Sequence, residues 1–466
     1  MAISLHERIF EASPTVYTPG PYTVTPLTAP VNQETRFQVR IAPGYRPVNR
    51  WGLTNVRIIS HDGVMPDGAP VLWNKFIQLD FTFEEETLCF SAFLHQEGKY
   101  TVQLMCGERL GLEFFVYALE EDLYSCIPLK GDMHSHSSVS DGRQAPELAA
   151  IRGRKRGLDF LAITDHGLYE GSTEAIGAMK DKGSSLLLCP GEEMHLPLRP
   201  DLVKPYHDRW LEMPWVEGCL AIHLVNFGGS FSVNQYAREN KAQYLEEVAA
   251  REAELPEELS PVDRFSVAAA EWAFDKVREG GGLAVYPHPY WPLIGRNAVS
   301  DIVNRTILER GRFDAFEAAN HKAHEYNYLA QSEYARQRGN GKTPSVVGNS
   351  DVHNTDAAEK WSYTILLAKE FSQAGICDAV RTGRCCSVMP VGEGFLPVVT
   401  GDYRIVRYVY FLLKEYFPEH DRWCSLEAEL LERSMAMKDN PFASAVKETT
   451  AAIAEFRKCS FPGAER

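Results

Sequence analysis

Histidines and carboxylates recur in a fixed order between residues 134 and 353. The run opens with Asp132-Met133-His134-Ser135-His136 and Ser140-Asp141-Gly142, then gives Thr164-Asp165-His166 and Gly191-Glu192-Glu193-Met194-His195. It continues with Ala221-Ile222-His223-Leu224, Tyr286-Pro287-His288-Pro289 and Asn349-Ser350-Asp351-Val352-His353. Residues two apart on a strand share a face, so His134 and His136 can reach one ion. Imidazole and carboxylate without thiolate suit zinc, manganese or iron, and this set is large enough for two to three divalent ions. Such ions acidify water at neutral pH and hold an anionic substrate oxygen, which is the chemistry of metal-assisted hydrolysis. A lone histidine at a strand end is more often a hydrogen-bonded structural residue, and that reading is kept for His6, His61, His95 and His420. The argument rests on the ordered set. A non-catalytic metal-binding module is the alternative of another class, and loss of several of these residues would favour it.

Most of these groups close a short apolar run of buried-strand type: Phe160-Leu161-Ala162-Ile163, Ser185-Leu186-Leu187-Leu188, Leu220-Ala221-Ile222-His223-Leu224-Val225, Leu283-Ala284-Val285-Tyr286, Asp314-Ala315-Phe316-Glu317 and Ser345-Val346-Val347-Gly348. Helical stretches are expected between them at 145–157, 263–280, 321–338 and 372–382. Alternation of this kind predicts parallel strands wrapped by helices, as a barrel or a doubly wound sheet, with the ligands gathered at the strands' carboxyl ends. Residues 126–390 form this unit, with a Glu- and Ala-rich helical insertion at about 235–280. Residues 1–125 read as a small β-sandwich, from alternating segments such as Phe37-Gln38-Val39-Arg40-Ile41 and Tyr100-Thr101-Val102-Gln103-Leu104. Residues 391–466 read as mostly helical, with Tyr408, Tyr410, Phe411 and Leu412 packing on the barrel. The fold class is therefore α/β with flanking β and helical parts.

Net charge is −15. A surface that acidic repels phosphate backbones, so no nucleic acid is expected as a partner, whereas bound cations can still make one pocket locally positive. The ten cysteines are scattered without a CxxC pair, which fits ordinary thiols of a cytoplasmic protein. No signal-like leader or membrane-length apolar run is read, so no membrane partner is expected. The helical tail leaves a homo-oligomer open.

In order and spacing the set resembles the polymerase-and-histidinol-phosphatase (PHP) superfamily of metallohydrolases, over roughly residues 128–390. The anchors are Gly131-Asp132-Met133-His134-Ser135-His136, Ile163-Thr164-Asp165-His166, Pro190-Gly191-Glu192-Glu193, Pro287-His288-Pro289 and Ser350-Asp351-Val352-His353. Gly191-Glu192-Glu193-Met194-His195 and Ile222-His223-Leu224-Val225-Asn226-Phe227-Gly228-Gly229 make it most similar to the carbaryl-hydrolase-like branch. The resemblance implies a distorted (β/α)7 barrel and three metal positions. His134, His136, Glu193 and Asp351 would hold the first; Glu193 would bridge to a second with His223 and His288; Asp141, His166 and His353 would hold the third. Glu193 is preferred to Glu192, because strand alternation turns Glu192 away. His195, Arg143 and Arg296 are candidate catalytic or substrate contacts, although an arginine at a barrel rim is often simply solvated. His321 and His324 line the pocket wall or lie outside the next helix. The expected substrate is a small-molecule ester, a phosphoric ester being favoured over a carboxylic or carbamic one. The connection 196–222, with Lys204, Tyr206, Arg209, Trp210 and Trp215, is expected to overhang the site as a selective lid or to pack on the N-terminal domain.

Overall fold

The computed structural model describes residues 21–61, 76–203, 219–293, 296–320, 324–356, 361–392, 395–435, 437 and 441–465. Alternating apolar residues of the first part fold into two sheets. Strands Tyr22–Thr25, Glu34–Ile41, Thr87–Phe93 and Phe81–Glu84 form one in that order, and Thr28–Pro30, Arg109–Leu119, Gly98–Cys106, Asn55–Ser60 and Ile77–Leu79 form the other. Phe37, Val39, Phe90, Val102, Leu104, Phe114 and Val116 share one buried core between them, as the period-2 alternation requires.

The second region holds β1 (Ile127–Asp132), β2 (Phe160–Ala162), β3 (Leu187–Cys189), β4 (Gly191–Met194), β5 (Leu224–Phe227), β6 (Leu283–Tyr286), β7 (Ala315–Ala319), β8 (Ser345–Gly348), β9 (Tyr363–Ala368), β10 (Cys385–Met389) and β11 (Val398–Gly401). They form two sheets, in the orders β3-β2-β1-β9-β10-β11 and β4-β5-β6-β7-β8. Pro190, which has no N–H to donate, separates β3 from β4 where the chain passes from one sheet to the other. Isolated bridges Ser135–Val352 and His166–Glu193 join the sheets at the rim where the candidate ligands lie.

The parallel arrangement expected from the sequence holds only in part. β1, β2 and β3 are parallel, as are β6, β7 and β8. β5 runs antiparallel to both β4 and β6, and β9 antiparallel to β1 and β10. A buried strand is apolar whichever way it runs, so the run around His223 carries no signal of direction. The reversal also moves the strand: the expected Leu220–Val225 run is a strand only over Leu224–Phe227, and His223 precedes it. Because β5 is inverted, its amino end lies at the rim where its neighbours end, and His223 still faces the other ligands.

Helices α1 (Pro146–Lys155) and α2 (Glu170–Met179) follow β1 and β2. The expected insertion is three helices, α3 (Val233–Glu239), α4 (Lys241–Glu252) and α5 (Pro261–Glu279), packed around the fully buried Trp272. Helices α6 (Asp301–Arg310), α7 (His324–Gly339) and α8 (Gln373–Arg381) complete the wrap. Beyond residue 390 the chain first adds β11 to the sheet, then turns into α9 (Tyr403–Glu415), α10 (Phe417–Met435) and α11 (Ala443–Ser460). Tyr408 and Phe411 of α9 lie 4.9 and 5.3 Å, centroid to centroid, from Tyr117 of the sandwich. Ile365, Leu367, Cys386 and Val388 of β9 and β10 belong to the same core. α9 is thus packed between the N-terminal sheets and the sheet of β9 and β10.

Charge ties α10 and α11 to the sheet of β1 and β2. His420 Nε2 lies 2.9 Å from Asp159 Oδ1, to which Arg457 also donates at 2.6 Å. Asp159 Oδ2 accepts the backbone N–H of Lys130 at 3.0 Å. Burial lowers the His420 imidazole, yet Asp159 holds it well above the ordinary range. Burial raises the Asp159 carboxyl, and His420 and Arg457 more than offset this and hold it well below. The His420 contribution is therefore complete below the unfolded value of about pH 6.5 and is lost as pH rises through the raised folded one. The Asp159 contribution is complete above about pH 3.9 and is lost as pH falls. Asp159→Asn leaves buried cations uncompensated and should cost about 3–5 kcal/mol. The gap in melting temperature between wild type and His420→Gln should be widest at about pH 4–6.5 and narrow in alkali. A gap independent of pH would contradict this account.

Candidate metal centre

Strand geometry and one glycine place the first ligands. His134 and His136 follow β1, and the His136 backbone N–H donates to Val352 O at 3.0 Å. The chain then turns back on itself: Gly142 N–H donates to Ser137 O at 2.8 Å, and a Cβ at Gly142 would stand 2.7 Å from the His136 backbone. Only glycine allows that approach. Asp165 fixes this loop, accepting the Ser137 N–H at 2.8 Å and the Ser137 and Ser140 hydroxyls at 2.6 Å each. Asp141 is thereby presented beside His166 and His353.

Four overlapping groups result, and Glu193 joins three of them, one being His166, Glu193 and His195. In the first, His134 Nε2 and His136 Nε2 are 3.3 Å apart and lie 3.4 and 3.3 Å from Glu193 Oε2. Asp351 Oδ1 lies 3.5 and 3.1 Å from the same two nitrogens. Five of the six separations in this four-donor group are thus 3.1–3.5 Å, and a tetrahedron with such edges has its centre about 2.0 Å from each vertex, the usual distance of zinc to imidazole nitrogen or carboxylate oxygen. In the second, Glu193 Oε1 lies 2.7 Å from His223 Nδ1 and 3.0 Å from His288 Nε2. In the third, Asp141 stands 3.4 Å from His166 Nε2 and 3.3 Å from His353 Nε2.

The donor chemistry fits cations. Among the described residues Glu193 Oε2 and His136 Nδ1 are buried without a hydrogen-bond partner, and facing imidazole nitrogens cannot satisfy one another when both present lone pairs. Burial lowers the His134 imidazole, but Glu193, Glu317 and Asp351 hold it well above its ordinary range. Burial is likewise outweighed at His166, which is raised to about 10, chiefly by Glu193 and Asp141. Burial raises Glu193, yet His223, His134 and His166 keep it well below. Surroundings that draw protons onto His134 and His166 in this way draw other cations to the same place.

Two backbone positions mark the same place. His288 and Asp351 are non-glycine residues with φ of +26° and +48°, which costs about 1–3 kcal/mol each. The His288 N–H donates to Glu317 Oε2 at 2.9 Å and the Asp351 N–H to His134 O at 2.7 Å, so the surroundings enforce both.

Glu317 is the residue that the sequence pattern does not single out. It is buried on β7, its Oε1 lies 2.8 Å from His134 Nδ1, and it accepts from Asn349 Nδ2 at 3.0 Å. A carboxylate behind a ligand imidazole fixes its tautomer and orientation. The available cue is a lone acid within the otherwise apolar Ala315–Ala319. Glu192 points the other way, as alternation requires. It accepts from Ser232 Oγ at 2.6 Å and from the Val233 and Asn234 N–H groups at the start of α3.

His195 joins the cluster, its Nε2 2.8 Å from His166 Nδ1 and its ring centroid 4.4 Å from that of His223. Burial, then the neighbouring His223 and His166, hold it well below the ordinary imidazole range. Arg143 does not join it. The side chain is exposed and, among the described residues, makes no hydrogen bond or ion pair with the ligands; only its N–H reaches the site, donating to His353 O at 2.7 Å. Arg296 lies on a hairpin pairing Pro292–Leu293 with Arg296–Asn297, and its side chain lies outside the described residues. His321 and residues 204–218, hence Lys204, Tyr206, Arg209, Trp210 and Trp215, also lie outside them, while half-buried His324 begins α7. Trp291, not expected from the sequence, stands 4.9 Å from the His223 ring and 5.6 Å from that of His288.

No family model and no curated protein matches the chain. Solved structures similar to it include a two-domain protein from Bacteroides vulgatus containing a predicted PHP-like metal-dependent phosphoesterase, 18% identical, with 62% of this chain and 71% of that one covered at a TM-score of 0.40. A protein from Bifidobacterium adolescentis assigned as a metal-dependent phosphoesterase is 20% identical, covering 49% and 89% at a TM-score of 0.31. An amidohydrolase from Chromobacterium violaceum, with bound sulfate and no metal, is 19% identical, covering 48% and 87% at 0.30.

Glu193→Gln should lower the metal content of the purified chain, whereas Glu192→Gln should keep it and cost at most about 2 kcal/mol through the weakened start of α3. Glu317→Ala should weaken metal affinity by about 10–100-fold with the ligands intact. Elemental analysis and competition with a chelator read all three; equal metal loss from Glu192→Gln and Glu193→Gln would refute the assignment.

Proposed function

We propose that this chain is a metal-dependent hydrolase of the PHP superfamily, its two sheets forming that superfamily's distorted barrel, and that it cleaves a small-molecule phosphoric ester. The observation that carries the reading is the shared Glu193 carboxylate, with one oxygen in a tetrahedral four-donor group and the other against His223 and His288. Divalent ions held there would serve as Lewis acids and bring the pKa of a bound water down to about 7.

The chain's own residues do the rest. Glu193 keeps two cation positions at a fixed separation, with Glu317 locking His134 behind them. A phosphoryl group offers three oxygens to three adjoining positions, where a planar carbonyl offers one; this favours the phosphoric over the carbamic or carboxylic ester. His195 is buried and kept neutral. With its Nε2 directed at His166 Nδ1–H, its proton would reside on Nδ1, an atom without a hydrogen-bond partner among the described residues. That N–H is available to a substrate oxygen.

Metal-replete protein offered aryl phosphates, aryl diesters and aryl carbamates should turn over a phosphoric ester fastest. His195→Phe should lower kcat on the order of 100-fold, as loss of a charge-stabilising donor does, while metal content stays unchanged. Faster carbamate turnover would transfer the reading to carbamic esters, and loss of metal from His195→Phe would make that residue part of the ligand set.

A further inference from the structure

Three of the four donor groups, the first to third above, differ in their access to solvent, and on the reading proposed above this sets the order in which ions leave. The side chains of the first are 0% exposed for His134 and His136, 1% for Glu193 and 4% for Asp351. Those completing the second are 9% exposed for His223 and 6% for His288. In the third, Asp141 is 54% exposed, His353 32% and His166 22%. Connectivity follows the same division. Glu193 gives an oxygen to each inner group, whereas the outer group has only Asp141 as its carboxylate, screened by water. The buried pair reaches it through His136 Nδ1, 3.8 Å from Asp141 Oδ1, and through Glu193 Oε2 and Asp351 Oδ1, 2.9 Å from His166 Nδ1 and 3.7 Å from His353 Nδ1.

The inner pair also has supports independent of the outer group. His134 is braced by Glu317, and the His288 and Asp351 backbones are held by Glu317 and by His134 O. His166 keeps two partners when its Nε2 has none, since its Nδ1 lies 2.8 Å from His195 Nε2 and 2.9 Å from Glu193 Oε2. Emptying the outer position therefore strands no buried charge.

We infer that the outer position, formed by Asp141, His166 and His353, is a dissociable activator site, and that the two positions joined by Glu193 retain their ions permanently. The outer ion exchanges with solution through the exposed Asp141 side and completes its coordination with an oxygen of an anionic substrate. Catalytic capacity then follows the free divalent-metal concentration, while the inner pair stays loaded.

The test uses the full chain, reconstituted with Zn2+ alone and dialysed against rising dipicolinate, with zinc per chain measured by elemental mass spectrometry. One equivalent should leave at a chelator concentration at least about tenfold below that removing the other two, as a tenfold affinity gap requires. Asp141→Asn should start at two equivalents and lack the first step, and His353→Gln, a second variant at the same position, should do the same. Three ions leaving in one transition, saturation of the wild type at two, or an unchanged first step in both variants would overturn the inference and leave the hydrolase reading standing. A chain that binds at most one zinc equivalent would overturn both.

Discussion

A carboxylate taken out of water costs several kcal/mol unless charge and hydrogen bonds meet it, and Glu193 is 1% exposed with imidazoles of five histidines around it. Much of the rim follows from that requirement. The chain crosses between sheets at Pro190, just before Glu193, which sets this strand between His134 and His136 on one side and His223 and His288 on the other. Burial of Glu193 without opposite charge would unfold the rim; with it, the same residues make a site for cations.

The strained residues belong to the same arrangement. His288 and Asp351 adopt left-handed backbone conformations, which persist only where surroundings over-determine them. Glu317 is the common brace, gripping His134 through its ring and His288 through its N–H. Farther out, the Asp159–His420–Arg457 network and α9 fasten the C-terminal helices to the sheet of β1, β2, β9 and β10, away from the candidate ligands. The rigidity of the rim thus draws on elements that touch no ligand.

How much of this was legible in the sequence follows from the range of each interaction. His134 with His136 is a local pattern, legible as residues two apart at a strand end, whereas Asp351 and His353 lie beyond β8, with Asp351 in a left-handed conformation, and enter different groups. The inward turn of Glu193 and outward turn of Glu192 are equally local. Strand direction is not. His223 sits before β5 rather than at its end because β5 is antiparallel, and direction is fixed by the path of the connecting chain, which apolar composition does not encode. β9 and β10 are absent from the sequence expectation, although Tyr363–Ala368 and Cys385–Met389 are as buried as the expected strands. Glu317 leaves only the cue of a lone acid in an apolar run, because its partner His134 is distant in sequence, and Trp291, three residues beyond His288, meets His223 only in three dimensions.

The central claim is that the atoms around Glu193 enclose cations, and crystals of the metal-loaded chain test it through anomalous scattering at the edge of the bound metal. The account places one peak inside the tetrahedron of His134 Nε2, His136 Nε2, Glu193 Oε2 and Asp351 Oδ1, about 2.0 Å from each, and a second beside Glu193 Oε1, His223 Nδ1 and His288 Nε2. Crystals with metal at full occupancy elsewhere and no anomalous density between those donors would contradict it.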